Sequence, residues 1–337
     1  MAAKQGKETE RDMISLIDFH TAFTVAKKAG RGEDAFKYSY NRDEAFFGVF
    51  DGCGGAGSQL CPKYEGKTEA YIASRNTADA FQTWFEQTEA GAARTAETAK
   101  QQIVADLRRC DELVGQKSML IGGIRKKFPT TAAVGICRVI GDKLAVDYYW
   151  AGDSRVYLLN DQGLAQLSED DLGGIDAMDN LTDDGILQNL ISLSRDFTIH
   201  SGRIFLDRPG FVFAATDGCF GYLSTPMEFE YVLLEAILAA DCISTGSNTE
   251  GSSRNDRRIG FEERLRERMA DAGDDVSFCG YAIGFGSLQR MKTMLRPRAN
   301  ELYQSVISRL GGMSREEKKA LWMSYRDNYH RLIHRVQ

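Results

Sequence analysis

Three aspartates beside glycine stand at the edges of short apolar runs: Phe50-Asp51-Gly52, Thr216-Asp217-Gly218 and Gly273-Asp274-Asp275. The first two close a run and the third opens one. A strand end fixes a carboxylate in space, and the adjacent glycine lets the backbone turn away or expose its carbonyl. Hard divalent cations such as Mg²⁺ and Mn²⁺ take oxygen ligands, which converging carboxylates supply. Two cations ~3.5–4 Å apart can share a bridging carboxylate and activate a water for in-line attack on phosphorus. A single Asp beside Gly is ordinarily a turn. Three at strand ends, joined by Glu33-Asp34 behind a first strand, point to a metal centre.

Short apolar strands must carry these groups. Residues 45–50 (AFFGVF) and 211–216 read as buried strands, and 274–284 contains a last one. An apolar/Thr alternation over 19–29 suits a first strand, followed by the turn Arg31-Gly32-Glu33-Asp34. Residues 68–89 and 97–114 have helical spacing, with Phe81 and Trp84 on one inner face and Ile103 and Leu107 on the other. Strands follow over 130–138, 144–150 and 155–159, broken by turns at Gly141-Asp142 and Gly152-Asp153. Residues 169–200 carry no clear period. Helices are expected over 229–239 and 260–270, separated by a Ser/Gly/Asn-rich mobile loop at 242–257. Strands and helices come in separate runs, without strict βαβ alternation. That predicts an α+β chain of antiparallel sheets packed between helices.

Beyond Gly286 the composition shifts. Residues 288–337 hold eleven Lys/Arg against four Asp/Glu, a basic excess that a solvated helix face explains as well as an anionic partner does. Pro297 sits where a helix can begin, Gly311-Gly312 is a stop, and Ser314 with Glu317 forms a capping box opening a last helix. The organisation expected is a catalytic domain over 12–287 and a helical-hairpin extension over 288–337. The hairpin either packs on the catalytic domain or docks a protein partner.

The 337 residues are 43% hydrophobic and 27% charged, an ordinary globular balance, and no apolar run approaches the ~20 residues of a membrane span. The polar N-terminus lacks the apolar core of a signal peptide. A cytoplasmic protein without membrane contact is expected. The net charge of −6 argues against a nucleic-acid partner. Seven scattered cysteines, none in a CxxC pair, read as reduced thiols rather than a zinc site. Gly52-Cys53-Gly54-Gly55-Ala56-Gly57 fits GxGxxG, the dinucleotide fingerprint. An Asp precedes it, however, Cys61-Pro62 interrupts the helix it requires, and no acidic strand end follows ~20 residues on.

Six motifs in order resemble those of the PP2C (PPM) metal-dependent serine/threonine protein phosphatases, over about residues 19–284. They are Glu33-Asp34-Ala35-Phe36, Val49-Phe50-Asp51-Gly52-Cys53-Gly54-Gly55, Thr130-Thr131-Ala132, Gly152-Asp153-Ser154-Arg155, Ala215-Thr216-Asp217-Gly218 and Asp274-Asp275-Val276-Ser277. The combination looks like a bacterial-type member. The resemblance implies a four-layer α-β-β-α sandwich with two Mg²⁺ or Mn²⁺ ions, hydrolysing phosphoserine and phosphothreonine in a phosphoprotein substrate. It implies that Asp51 bridges both metals, the Gly52 carbonyl binds the second, and Asp217 and Asp274 complete the first. Glu33 then holds the second through water, Asp34 orients waters, and Asp275 stands one shell further out. Asp153 is read as support for the sheet.

Three departures stand against this resemblance. Cys53 replaces the family's proton-donating histidine, and a thiol with an ordinary pKa near ~8.5 is a poorer donor at neutral pH than imidazole near ~6.5. Ala29 occupies the position of the phosphate-binding arginine, with Lys28 and Arg31 as nearby substitutes. Lys126-Lys127-Phe128-Pro129 stands where an aspartate for a third metal is expected, so that site is absent or weakened. The alternative reading is a pseudophosphatase or regulatory binding protein on the same fold. Both Asp51-Gly52 and Asp217-Gly218 are followed by cysteine, so Cys53 and Cys219 are either small residues filling tight turns or an oxidant-sensitive pair.

Overall fold

The computed structural model describes residues 12–88, 94–115, 126–173, 177–178, 185–241 and 260–333. The loop expected at 242–257 lies outside them. The chain opens with a turn of helix, α1 (Met13–Leu16), then β1 (Ile17–Val25), β2 (Ala35–Tyr40), β3 (Glu44–Phe50) and two short strands, β4 (Leu60–Cys61) and β5 (Lys67–Thr68). Helices α2 (Glu69–Gln87) and α3 (Ala96–Val114) follow. Next come β6 (Ala132–Ile140), β7 (Lys143–Ala151), β8 (Arg155–Asn160), β9 (Gly163–Gln166), β10 (His200–Leu206) and β11 (Gly210–Ala215). Helices α4 (Pro226–Ala239) and α5 (Phe261–Arg268) precede the last strand, β12 (Val276–Ile283). The chain ends in α6 (Leu288–Leu302), a π turn (Tyr303–Ile307), α7 (Ser308–Leu310) and α8 (Arg315–Tyr329).

Two five-stranded antiparallel sheets face each other, in the orders β1-β12-β11-β8-β9 and β10-β7-β6-β3-β2. Their facing sides bury Phe47, Val49, Val146, Tyr148, Val212 and Tyr281 between them. Helices α2 and α3 cover the outer face of the second sheet through Phe81, Trp84, Ile103 and Leu107. Helices α4, α5, α6 and α8 cover the first through Leu233, Leu265, Leu295 and Trp322. This is the four-layer α-β-β-α sandwich expected. The helices beyond Gly286 bury their apolar side in the same core as the first sheet.

Local signals set most boundaries. The Thr68 hydroxyl caps α2 by accepting from the Tyr71 N–H at 3.1 Å, and Ser314 with Glu317 forms the expected capping box of α8. The position of Pro297 is a correction. It lies inside α6, which begins after its cap Ser287. The ring occupies an exposed position, and Thr293, whose carbonyl it leaves without an N–H, is exposed as well. Strands β2 and β10 were not anticipated. Both are edge strands with half-exposed residues, so their apolar signal is diluted. Among the described residues the six cysteines are free, five of them buried, and no helix is long and apolar enough to cross a membrane.

Candidate metal centre

Antiparallel register gathers the acidic residues at one end of the sandwich. Ala35 pairs with Phe50, which puts Asp34 beside Asp51. Ala215 pairs with Phe278 on one side and Arg155 on the other. The end of β11 therefore meets the start of both neighbours: Asp217 falls opposite Asp153 on one side, and the charge of Asp274, just before the other neighbour, reaches it. This is why two of the aspartates close strands while the third opens one. Val25 pairs with Val276, which brings the turn after β1 to Asp275.

Hydrogen bonds hold these ends in place. The Asp51 carbonyl accepts from the Thr131 N–H at 2.8 Å and the Thr130 hydroxyl at 2.6 Å. The Asp275 carboxylate accepts from the Lys27 N–H at 2.8 Å and the Glu33 N–H at 2.6 Å, so it ties down the loop that carries Glu33. The Thr216 hydroxyl donates to Asp34 at 2.9 Å. The Glu33 carboxylate accepts from Thr68 and presses on Gly54, where an added Cβ would stand 2.0 Å from Oε2. Gly52 is equally constrained: a Cβ there would lie 2.6 Å from the Ala70 carbonyl oxygen. Glycine is required at Gly52, where backbone approaches too closely for any side chain, whereas a side chain at Gly54 would have to push the Glu33 carboxylate aside.

The carboxylates crowd one another. Burial pushes Asp34 up to about 7, with Asp217 adding to the shift against the Thr216 hydrogen bond. Burial and then the charge of Asp274 raise Asp217 to about 6. Asp51 is driven well above the usual carboxylate range by burial and by Asp34, Asp217 and Asp153. Asp153 rises likewise through burial and through Asp217 and Asp170. Glu33 is raised by burial, and nearby Asp275 and Asp274 add to the shift. Burial and the same acidic neighbours, Asp51 foremost, hold the Cys53 thiol well above its ordinary pKa. A bound cation would reverse this sign, because it is the counter-charge that lets the carboxylates ionise together.

Asp153 has more to offer than support of the sheet. Its carboxylate takes a backbone hydrogen bond from its own N–H. Its Oδ1 is buried with no hydrogen-bond partner, beside Asp51 and Asp217, and an orphaned oxygen in an acidic cluster is open to a ligand. Sequence reasoning had no signal for this, because the Gly-Asp-Ser-Arg turn looks the same in either role. Among the described residues no three His, Cys, Asp or Glu side chains form a ready-made ligand set. The acids stand instead as neighbouring pairs (Asp34 with Asp51, Asp51 with Asp217, Asp153 with Asp217, Asp217 with Asp274), and Asp217 is common to three of them. Oxygen donors, mutual crowding and the orphaned Asp153 oxygen fit hard divalent cations.

Asp153, Asp170, Asp217 and Asp274 line a cavity of about 380 Å³, together with Arg155, Phe220 and Tyr222. Lys28 and Arg31 are exposed on the turn after β1, without contacts to this cluster among the described residues. Lys126, which sequence reasoning noted only as a missing aspartate, is a cation near the Cys53 loop. Its backbone N–H donates to the Ala56 carbonyl at 3.1 Å, while the Cys53 N–H donates to Pro129 at 3.2 Å, so the segment before β6 runs along the Cys53 loop. Its ammonium lies within charge reach of Cys53 and Arg195. Cys219 goes elsewhere: it is fully buried and its thiol donates to the Ser277 carbonyl at 3.2 Å.

Solved structures share this fold. The serine/threonine phosphatase Stp1 from Staphylococcus aureus superposes with a TM-score of 0.53 at 17% identity, over 80% of this chain and 96% of that one. A bacterial serine phosphatase gives 0.54 at 16%, over 78% and 97%. The PPM Ser-Thr phosphatase MsPP from Mycobacterium smegmatis, in complex with cacodylate, gives 0.51 at 14%, over 80% and 100%. The fold is that of the PP2C phosphatases. No family model matches the sequence, and no curated protein does. The PP2C-fold structures are matched over nearly their whole length, whereas about a fifth of this chain lies outside the match.

Proposed function

We propose that this chain is a metal-dependent phosphatase acting on phosphoserine and phosphothreonine in proteins. The observation that carries the reading is the gathering of Asp34, Asp51, Asp153, Asp217 and Asp274 at one end of the sandwich, beside an open cavity, with an unpartnered buried oxygen on Asp153. Asp51, Asp217 and Asp274, with the Gly52 carbonyl, would hold two Mg²⁺ or Mn²⁺ ions, and Asp153 adds a further oxygen toward Asp217. Such ions lower the pKa of water and neutralise charge on a phosphoryl group. The remaining work falls to the chain. Glu33 would hold an ion through water, and the buried Asp34 would orient waters there. Asp275 keeps Glu33 in place through its two backbone hydrogen bonds. Lys126 offers an ammonium to the phosphate, the role that Ala29 vacates, while Lys28 and Arg31 remain exposed and more distant.

Cys53 occupies the position for protonating the leaving alcohol, and its thiol is a weak donor. Aryl phosphates, whose leaving groups scarcely need a proton, are therefore hydrolysed faster than phosphoserine peptides. Cys53→His should narrow that gap; equal rates on both substrates, unchanged by the substitution, would remove Cys53 from the mechanism. The second reading, a binding protein that keeps the fold without turnover, draws on Cys53 and Ala29. The test is hydrolysis of an aryl phosphate and a phosphothreonine peptide with Mn²⁺, Mg²⁺ or chelator, for wild type and Asp217→Asn. Turnover that needs metal and is lost in Asp217→Asn supports the phosphatase. Metal binding without turnover on either substrate favours the binding protein.

A further inference from the structure

The described end of the chain reaches the back of the acidic site. Arg155, two residues after Asp153, is 2% exposed. Its guanidinium Nε and Nη2 donate to Asp170 at 2.9 and 2.6 Å. Its Nη1 donates to the Tyr157 hydroxyl at 3.2 Å and to the Tyr329 hydroxyl at 3.5 Å. Tyr329 in turn donates to Tyr157 at 3.2 Å, and the Phe220 ring lies 4.2 Å below the guanidinium. Arg155 and Asp170 line the same cavity as Asp153 and Asp217. Arg155 is thus the cation built into the wall of the acidic cluster. One of the hydroxyls that hold it belongs to α8.

Helix α8 is firmly seated. Trp322 is fully buried, Asn328 donates to the Gln162 carbonyl at 2.9 Å, and Tyr325 donates to Glu230 of α4. Tyr325 and Tyr329 are therefore two buried tyrosines on one helix with different partners. Tyr325 bonds a structural ion pair away from the cavity. Tyr329 bonds the arginine of the cavity wall.

We infer that α8 is a positioning element of the acidic site, acting through the Tyr329 hydroxyl on Arg155 and Asp170. The inference rests on the reading of that site as a metal centre. A guanidinium turned onto Asp153 and Asp217 would compete with a metal cation for them; Asp170 at the cavity and Tyr157 and Tyr329 at the core hold that of Arg155 to themselves. Docking of α8 and cation binding are then linked. Linkage is reciprocal, so a cation that gains from a docked α8 must also tighten that docking.

The experiment is calorimetric titration of Mn²⁺ into the full chain, its Tyr329→Phe variant and its Tyr325→Phe variant, with amide exchange across 315–329 measured in chelator and in Mn²⁺. Each substitution removes one buried hydroxyl from the same helix, so a merely structural role affects both alike. Tyr329→Phe should weaken Mn²⁺ binding about threefold or more, short of the roughly 10- to 100-fold that direct outer-shell partners carry. Tyr325→Phe should leave the affinity unchanged, and Mn²⁺ should slow exchange in α8 of the wild type. Equal affinity in the two variants, or exchange in α8 indifferent to Mn²⁺, overturns the inference. Should Tyr329→Phe fail to fold, the wild-type exchange comparison decides alone. Absence of Mn²⁺ binding in the wild type removes the metal-centre reading and this inference with it; binding that is equal in both variants removes the inference only.

Discussion

Glu230 is a carboxylate withdrawn from solvent and Asp51 one partly so, and they are met in opposite ways. Glu230, fully buried on α4, receives the Arg298 guanidinium at 2.6 and 3.2 Å and the Tyr325 hydroxyl. Asp51 receives mainly other acids: Asp34, Asp217 and Asp153. A buried charge is tolerated when a fixed counter-charge and hydrogen bonds replace its water. The first region satisfies that rule within the chain. The second leaves it open, and a diffusible cation is what closes it. A fold that needs only stability has no use for four crowded carboxylates at one end of the sandwich, because their repulsion works against folding.

The contrast can be broken at either end. The largest effect is expected at the matched pair. Glu230→Gln leaves Arg298, whose side chain is 13% exposed, with only the exposed Glu301 as ion-pair partner, and should cost about 3 kcal/mol in denaturant unfolding, the low end for a broken buried pair. Mn²⁺ affinity should stay the same; a parallel loss would merge two regions held here to be separate. At the acidic end, Lys126→Ala removes a cation placed near Cys53. A charge-assisted contact contributes about 1.5–3 kcal/mol, so KM for a phosphopeptide should rise about tenfold or more with kcat little changed. An unaltered KM would return the phosphate to Lys28 or Arg31.

The smallest effect concerns His200, which is paired to Asp171 at 2.9 Å. Asp171 also accepts from the Gly152 N–H at 2.8 Å, next to Asp153. The Asp171 hydrogen bond raises the His200 pKa above its ordinary value, against partial burial. The stabilisation is therefore complete below pH ~6.5 and fades as pH rises through the raised value. His200→Gln should flatten the melting temperature between pH 6 and 8, by less than about 1 kcal/mol for a pair this exposed. A pH profile identical to the wild type would show that the pair contributes nothing.

Strand-end chemistry was legible because it is local. Asp51-Gly52 and Asp217-Gly218 announce themselves through an apolar run and a glycine. The capping boxes and the α+β order are written in short windows too. What stayed hidden depends on register. Asp153 gains its significance because Arg155 pairs with Ala215, which sets it against Asp217. Lys126 matters because its segment runs along the Cys53 loop. Tyr329 lies 174 residues from Arg155, and no sequence window spans that. Pro297 misled because proline is usually read as a helix start, although an exposed mid-helix position tolerates it.

The most direct test of the unmatched acids is thermal unfolding of wild type and Asp217→Asn, in chelator and in Mn²⁺. Asp217 is common to most of the crowded pairs. The account predicts that Mn²⁺ raises the wild-type melting temperature. It also predicts that Asp217→Asn melts above the wild type in chelator and no longer responds to Mn²⁺. A wild type indifferent to Mn²⁺, with Asp217→Asn melting lower in chelator, would mean that the carboxylates serve the fold and not a cation.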